Sequence, residues 1–494
     1  MPERRRAALE GLLAAGLGVA LDWAISAPDP ALPFAPVALA DRGVRLTSGE
    51  LETFAIERLG HAALPLLAVG ATVGFLLLGA GLGLAIASRR ARAPSAAGLA
   101  FAATLASAEL AAPARPPVAA ALASAAAGGA LYSATLLGVR RRRRRAGFDP
   151  GRRRLLVELG AGTASLLVGG TALGRLFAPS TRAPVGGLRR PPTPSRRPLP
   201  HIDGLAPEVT PVSSHYVVDI DLNDPAPDAG DWQLSVEGLV ERPVNLDFEE
   251  LQRRFPLVGE YSVPTCISNR VGGPLVGNSL WHGVRLAELL RSAAPLDRAR
   301  EVVFHCADGY TAAIPLAQAM HPSVLVAIAQ NGKSLTREHG FPCRLRVPAL
   351  YGIKNPKWLE RISLTDHHFE GYWQRQGWTD TALVRTESRI DAPGDTAAGE
   401  PTWIAGIAWA GLRGIATVEL STDAGRTWHR AELQRPLSPY AWTRWAYRWT
   451  PPRPGLYELV CRATDGDGRQ QDSTPRPPHP SGASGYHRRE LEVA

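Results

Sequence analysis

The sequence predicts a multi-domain chain: an N-terminal α-helical membrane region, an α+β domain, and a C-terminal all-β sandwich. Three observations predict it. The 494 residues exceed one ordinary domain. Hydrophobic residues make up 45% of the chain, and the first 180 residues carry long runs of Ala, Leu, Gly and Val. Every one of the 12 Trp except Trp23 lies beyond residue 230, where apolar and polar residues alternate over short distances.

The membrane region (1–178) is read from five apolar stretches at about 7–27, 60–88, 95–112, 117–139 and 155–177. Crossing a bilayer takes ~20 apolar residues. The third stretch is short and contains Glu109. The net charge of +9 equals the nine arginines of Arg140–Arg145 and Arg152–Arg154. Such a run could bind nucleic acid, but apolar stretches on both sides favour a membrane-flanking loop, so no nucleic-acid partner is expected. Arg4–Arg6, Arg89, Arg90 and Arg92 flank other stretches in the same alternation. The positive-inside tendency then puts the N-terminus and basic loops in the cytoplasm, and five crossings put all that follows outside it. Arg152-Arg-Arg-Leu-Leu156, ahead of a mild apolar run, also looks like a twin-arginine export signal as well as an ordinary positive flank. Residues 179–204 carry seven prolines among Arg and Gly, and read as an extended, semi-rigid linker.

From 205 to about 380 the pattern is mixed. Trp232–Glu237, Val302–Cys306 and Leu345–Val347 read as strands, and Trp281–Leu286 as the opening of a helix. Asn245–Leu251 also opens a helix, with Asp247 as its cap. From 385 to 494 short alternating strands (Thr402–Trp409, Ile415–Leu420, Trp445–Trp449, Leu456–Ala463) are separated by turns such as Asp423-Ala-Gly. That pattern predicts a sandwich of immunoglobulin type.

The chemistry is sought at the cysteines. Cys266, Cys306, Cys343 and Cys461 show no C-x-x-C spacing, which argues against a zinc site or a disulfide framework. Cys266 stands out, because apolar, β-branched residues lead into it and a Ser-Asn-Arg turn and two glycine clusters follow. A thiol at a strand end in a glycine-rich loop is placed to be a ligand or a nucleophile. Cys461, on a sandwich strand, reads as a small buried hydrophobe.

Thr265-Cys-Ile-Ser-Asn-Arg-Val-Gly-Gly, Trp281-His-Gly-Val-Arg-Leu, Asp308-Gly-Tyr-Thr-Ala-Ala-Ile-Pro-Leu, and the long run from Asn331 to Leu359 together resemble the sulfite oxidase family of molybdopterin enzymes. The resemblance covers about 205–380. The sandwich resembles the family's dimerisation domain, which implies a homodimer, and the apolar region resembles membrane-bound bacterial members. The implied cofactor is Mo-molybdopterin, with the Cys266 thiolate as the metal ligand. A soft thiolate suits a metal also bound by dithiolene sulfurs. His339, Arg344, Asn355, Pro356 and Lys357 match pterin-binding positions. Arg344 and Lys357 suit the pterin phosphate as a fork and a point charge. Ser213, Tyr216, Val217 and Asp308 match further contacts.

Two departures bear on substrate. Ile328 stands where sulfite oxidases have a tyrosine, and Val217 where they have a substrate-binding arginine. An oxyanion needs cations and hydrogen-bond donors, so both losses weaken a sulfite assignment; Arg270, four residues after Cys266, is a candidate substitute charge. The readings are therefore an oxygen-atom and two-electron transfer enzyme outside the cytoplasm, a sulfoxide or protein-methionine-sulfoxide reductase, or a membrane-tethered binding protein without catalysis. The sequence has no C-x-x-C-H haem motif. Electrons are therefore expected to pass through a separate carrier, a cytochrome or a quinone.

Overall fold

The computed structural model describes residues 2–28, 32–47, 58–59, 63–86, 93–112, 117–146, 160–168, 170–171, 183–195, 197–220, 224–393 and 396–494. The chain divides into two compact units.

The first unit is helical. Its helices are α1 (Pro2–Ser26), α2 (Ala35–Leu46), α3 (Ala63–Ile86), α4 (Ala93–Leu110) and α5 (Val118–Ala146). Among the described residues three segments are long and apolar enough to cross a membrane: Arg4–Ser26, Pro65–Ile86 and Val118–Val139. The expected 95–112 stretch is helical as α4 but is not one of them. Most of the expected 155–177 stretch and Arg152–Arg154 lie outside the described residues. Helix α2 went unforeseen; its apolar positions are interrupted by Asp41, Arg42 and Arg45, which mask an amphipathic period in a linear reading. Phe75, Phe101 and Tyr132 pack at the centre of this unit, and Tyr132 donates to the Gly79 carbonyl at 2.8 Å. The buried Asp22 carboxylate accepts from Ala35 N and Ser124 Oγ, tying α1 to α2 and α5.

The second unit is rich in strands. Its first sheet collects β1 (Gln233–Gly238), β2 (Val244–Asp247), β5 (Glu301–Cys306), β6 (Thr311–Pro315) and β10 (Leu359–Thr365) in the order β2-β1-β10-β5-β6. Only β1 and β10 run parallel in it. Its second sheet collects β3 (Leu257–Ser262), β4 (Ser279–Arg285), β7 (Leu325–Gln330) and β8 (Lys333–Ser334) in that order, with β9 (Arg344–Arg346) paired to β7. Helix α6 (Phe248–Arg254) starts at Asp247 as expected, with a reciprocal capping box to Glu250. Trp281–Arg285 is strand β4, not the start of a helix; α7 (Leu286–Ala293) begins one residue later. Pairing with β3 and β7 on both sides buries this segment completely up to Val284, a tertiary effect that overrides local pattern.

Two four-stranded sheets close the chain. One is ordered β11 (Glu387–Ala392), β12 (Thr402–Trp409), β16 (Thr443–Trp449), β15 (Glu432–Leu433); the other β14 (His429–Arg430), β13 (Ile415–Ser421), β17 (Gly455–Asp465), β18 (His487–Val493). Ile404, Trp445, Val418, Leu459, Cys461 and Leu491 from both sheets share one core, and Cys461 is fully buried within it. The segment expected as a stand-off linker lies along this unit instead. Ala183 packs near Trp281, Leu199 and Ile202 pack near Ala405, and the Arg189 carbonyl accepts from His282 Nε2.

Glu387 sits 3% exposed at the start of β11, accepting from the Tyr351 hydroxyl at 3.2 Å. Burial pushes its carboxyl up to about 8, against the opposing pull of that hydrogen bond. A carboxyl whose folded pKa is raised stabilises the fold below its ordinary range near 4.5, and the benefit is lost as pH rises through 8. Glu387→Gln is therefore expected to raise the urea midpoint at pH 9 and to change it far less at pH 5. Equal effects at both pH values would contradict the buried, protonated acid. Asp247→Ala should cost about 1 kcal/mol through the lost cap, measured by the same unfolding curves.

Candidate active site around Cys266

Cys266 lies in a loop that folds on itself beyond β3. Thr265 bridges Val276, Cys266 N donates to the Leu275 carbonyl at 3.0 Å, and Leu275 N donates to Asn269 Oδ1 at 2.9 Å. Cys266 is 6% exposed, and its loop passes beside Gly352, whose backbone N donates to the Thr265 carbonyl. Charges on Cys266 and on the Tyr216 hydroxyl are close enough to influence one another, and that hydroxyl also feels Arg344 and Arg346. Burial is the largest cause holding it well above an ordinary phenol.

Two arginines two residues apart on β9 point to one face, as strand geometry requires. Both guanidinium carbons lie 5.3 Å from the Trp281 ring. Arg344 donates to the carbonyls of His339 and Asn355. Arg346, 1% exposed, donates to Asn355 Oδ1 at 2.5 Å and to Ser262 Oγ at 3.1 Å. Burial, then Arg344, lowers its pKa to about 9. His339 Nε2 donates to the Val212 carbonyl at 3.2 Å, and its ring meets His215 edge-on at 5.5 Å. His215 also packs edge-on against Trp281 and flat against Tyr216. Burial lowers His339 to about 4 and His215 to about 3, so both are neutral. The His215 Nδ1–H faces the Tyr216 carbonyl, which leaves Nε2 as an acceptor.

The structure thus brings Cys266, Tyr216, His339 and Arg344 together. It treats the other expected residues differently. The Asn355 side chain is fully used inside the protein, donating to Leu350 and Tyr351 carbonyls and accepting from Arg346 and Val347 N. Pro356 offers its carbonyl to Leu345 N, and Lys357 Nζ donates to the Glu338 carbonyl while lying 4.2 Å from the Trp358 ring. Asp308 is buried and caps its own hairpin through Tyr310 N; Tyr310 reaches on to the Ile353 carbonyl. Ser213 is exposed on a turn, and it is the neighbouring Val212 carbonyl that meets His339. Val217 is half-buried beside Tyr216, Ile328 is buried within β7, and Arg270 is exposed at the tip of the Cys266 loop. His215, Arg346 and Trp281 were missed by sequence reading. Strand alternation from Arg344 would have found Arg346; nothing local marks His215.

Several buried polar atoms around Cys266 have no hydrogen-bond partner among the described residues: His215 Nε2, Thr265 Oγ1, Asn269 Nδ2, Arg346 Nε and Trp281 Nε1. Buried polar atoms are nearly always paired. A cluster of unmatched donors and acceptors, with Arg344, Arg346 and Lys357 nearby and a thiol, fits a polar, anionic, sulfur-coordinated group.

Comparison with known proteins names such a group. Residues 221–373 match the family model "Oxidoreductase molybdopterin binding domain", and residues 382–474 match "Mo-co oxidoreductase dimerisation domain". The Bacillus subtilis (strain 168) "Uncharacterized oxidoreductase YuiH" is 36% identical over 147 residues, 30% of this chain and 72% of that one. The chain belongs to the sulfite oxidase family of molybdopterin oxidoreductases. The mitochondrial sulfite oxidase of Drosophila melanogaster is 34% identical over 236 residues, 39% of this chain and 41% of that protein. The chain therefore spans about two fifths of the mitochondrial sulfite oxidases it matches. The crystal structure of the sulfane dehydrogenase SoxCD from Paracoccus pantotrophus covers 64% of this chain and 89% of its own, with a TM-score of 0.52 and 23% identity, a likeness of fold. The family's cofactor is Mo-molybdopterin, and the unmatched polar cluster suits its pterin.

The neutral histidines fix a pH dependence. Unfolded histidine titrates near 6.5, so as pH falls the unfolded chain gains protons that His339 refuses until about pH 4. Stability is expected to fall between about pH 6.5 and pH 4, by up to ~3 kcal/mol from His339. His339→Gln, which keeps a donor for Val212, should flatten that part of the urea-midpoint curve; an unchanged slope would mean the imidazole is not held neutral.

Proposed function

We propose that the chain is a membrane-anchored oxidoreductase that uses the molybdenum cofactor to act on a small substrate outside the cytoplasm. The convergence of Cys266 with Tyr216, His215, His339, Arg344 and Arg346 around unmatched buried donors supports this reading most. In it, Cys266 is the metal thiolate, and the bound cofactor supplies oxygen-atom and two-electron transfer. The protein's own groups position it. Neutral His215 offers an acceptor at Nε2, and Arg344, Arg346 and Lys357 offset the negative charge of a pterin phosphate. Tyr216, held as the neutral phenol, can donate a hydrogen bond beside the thiolate. Exposed Arg270 offers a cation to an oxyanion substrate. The three apolar helices support anchoring. The outer placement of the second unit rests on the five-crossing reading, in which α4 and the 155–177 stretch also cross and every arginine flank stays in the cytoplasm. The family's dimerisation domain at 382–474, read as an immunoglobulin-type sandwich, supports a homodimer. Electrons then pass to or from a separate carrier, a cytochrome or a quinone.

A second reading, reduction of sulfoxides, is favoured by the departures at Ile328 and Val217, which remove two polar groups expected around sulfite. Metal analysis and steady-state assays with sulfite and with sulfoxides, using artificial electron carriers, separate the readings. The first predicts molybdenum and sulfite turnover; the second predicts molybdenum and sulfoxide turnover. A correctly matured protein without molybdenum is the outcome expected of a non-catalytic tethered binding protein. Cys266→Ser should lower kcat by more than about 100-fold, the order lost when a key transition-state group is removed, with the fold intact by circular dichroism. Arg270→Ala should raise KM for an anionic substrate; an unchanged KM would remove Arg270 from the site.

A further inference from the structure

The loop that carries Cys266 and Arg270 is held from two sides. At one end, the His215 ring stands 2.8 Å from where a side chain on Gly277 would begin, so the loop lies directly against the cofactor cluster. At its tip the partners come from the C-terminal sandwich. Arg389 on β11 donates from Nη1 to the Gly273 carbonyl at 3.0 Å, and its Nε donates to Asp391 Oδ1 at 2.6 Å. Asp391 is in turn fixed by Ala206 N. His487 on β18 lays its imidazole over Gly272, within 2.1 Å of where a Cβ would stand. The ring is set by Ile390 N, which donates to Nδ1 at 2.9 Å. Burial, then Arg389 and Arg489, lowers His487 to about 4, which keeps that nitrogen an acceptor.

The gripped residues define where Arg270 stands. Gly273 N donates to the Arg270 carbonyl at 2.8 Å, closing a turn whose third residue, Gly272, takes φ +76°. A turn of half-buried loop residues led by exposed Arg270 and closed by one backbone hydrogen bond is weak alone. Here its last carbonyl is fixed by a charge-assisted donor, and its glycine is covered by a ring.

We propose that the sandwich forms a wall of the substrate site, with Arg389 and His487 as positioning residues that hold the 266–277 loop so that Arg270 stands at a fixed place near Cys266. The proposal rests on the reading of Cys266 and Arg270 given above. It adds a role for the sandwich besides dimerisation: Arg389 acts through Gly273, and the substrate class it serves is a small oxyanion.

The test uses the full-length protein with Arg389→Met, which keeps the apolar stem and removes the donors, and Arg389→Lys, which retains one donor. Hydrogen–deuterium exchange of the 266–277 segment is expected to quicken about tenfold in Arg389→Met, the effect of losing one good hydrogen bond, while β12 and β16 stay unchanged. Molybdenum content should match the wild type. KM for sulfite should rise about tenfold with kcat changing much less, and KM for neutral dimethyl sulfoxide should stay put. Arg389→Lys should restore most of both effects. Unchanged exchange of 266–277 in Arg389→Met overturns the proposal, whatever the enzyme turns over. Wild-type protein without molybdenum or turnover would instead defeat the functional reading and leave the exchange result standing. If Arg389→Met loosens the sandwich itself, His487→Ala carries the test: quicker exchange in 266–277 alone supports the clamp, and unchanged exchange there overturns it.

Discussion

A buried guanidinium organises the centre of this protein. Arg346 is almost wholly withdrawn from water, and an unsatisfied cation there would cost several kcal/mol. Its charge is met by Asn355 Oδ1 and Ser262 Oγ and by the face of Trp281. Each partner fixes a different element. Ser262 ends the strand leading to Cys266, Asn355 closes the 347–355 turn, and Trp281 belongs to β4. Satisfying one cation therefore brings three chain segments to one point, and Arg344, on the same strand face, arrives with it.

Asn355 shows how this constraint spreads. Its amide donates to two carbonyls and its oxygen accepts two donors, so the turn from Val347 to Asn355 has a single arrangement. Tyr351 within that turn reaches across to Glu387 and accepts from Arg385 N at the start of the sandwich. From there β11 leads to Arg389 and back to the Cys266 loop. The two halves of the second unit are thus joined through hydrogen-bonded polar groups on both sides of the Cys266 loop.

The unmatched polar atoms near Cys266 contrast with this economy. Elsewhere in the site even the half-buried Lys357 finds a carbonyl. Leaving His215 Nε2, Asn269 Nδ2 and Trp281 Nε1 without partners among the described residues costs stability unless another molecule pairs with them. A cofactor-binding protein carries that cost because ligand binding repays it.

By itself the sequence determined the kinds of element and the chemistry. Alternation fixed the sandwich strands, the Asp247 cap marked α6, and motif runs around Cys266, His339 and Arg344 identified the family. These are local signals, set by side-chain period and by short spacings. Only the tertiary structure decided what long-range pairing controls. Trp281–Arg285 became a strand because two neighbours bond to it. Asn355 became an internal brace because its partners, Arg346 and Val347, meet it only when the turn closes. The proline-rich segment lay against the second unit because apolar surface there was available to cover. His215 and Arg389 entered the site from segments 51 and 123 residues away from Cys266 in sequence, a proximity that no local pattern encodes because it arises from burying charge and apolar surface across the whole unit.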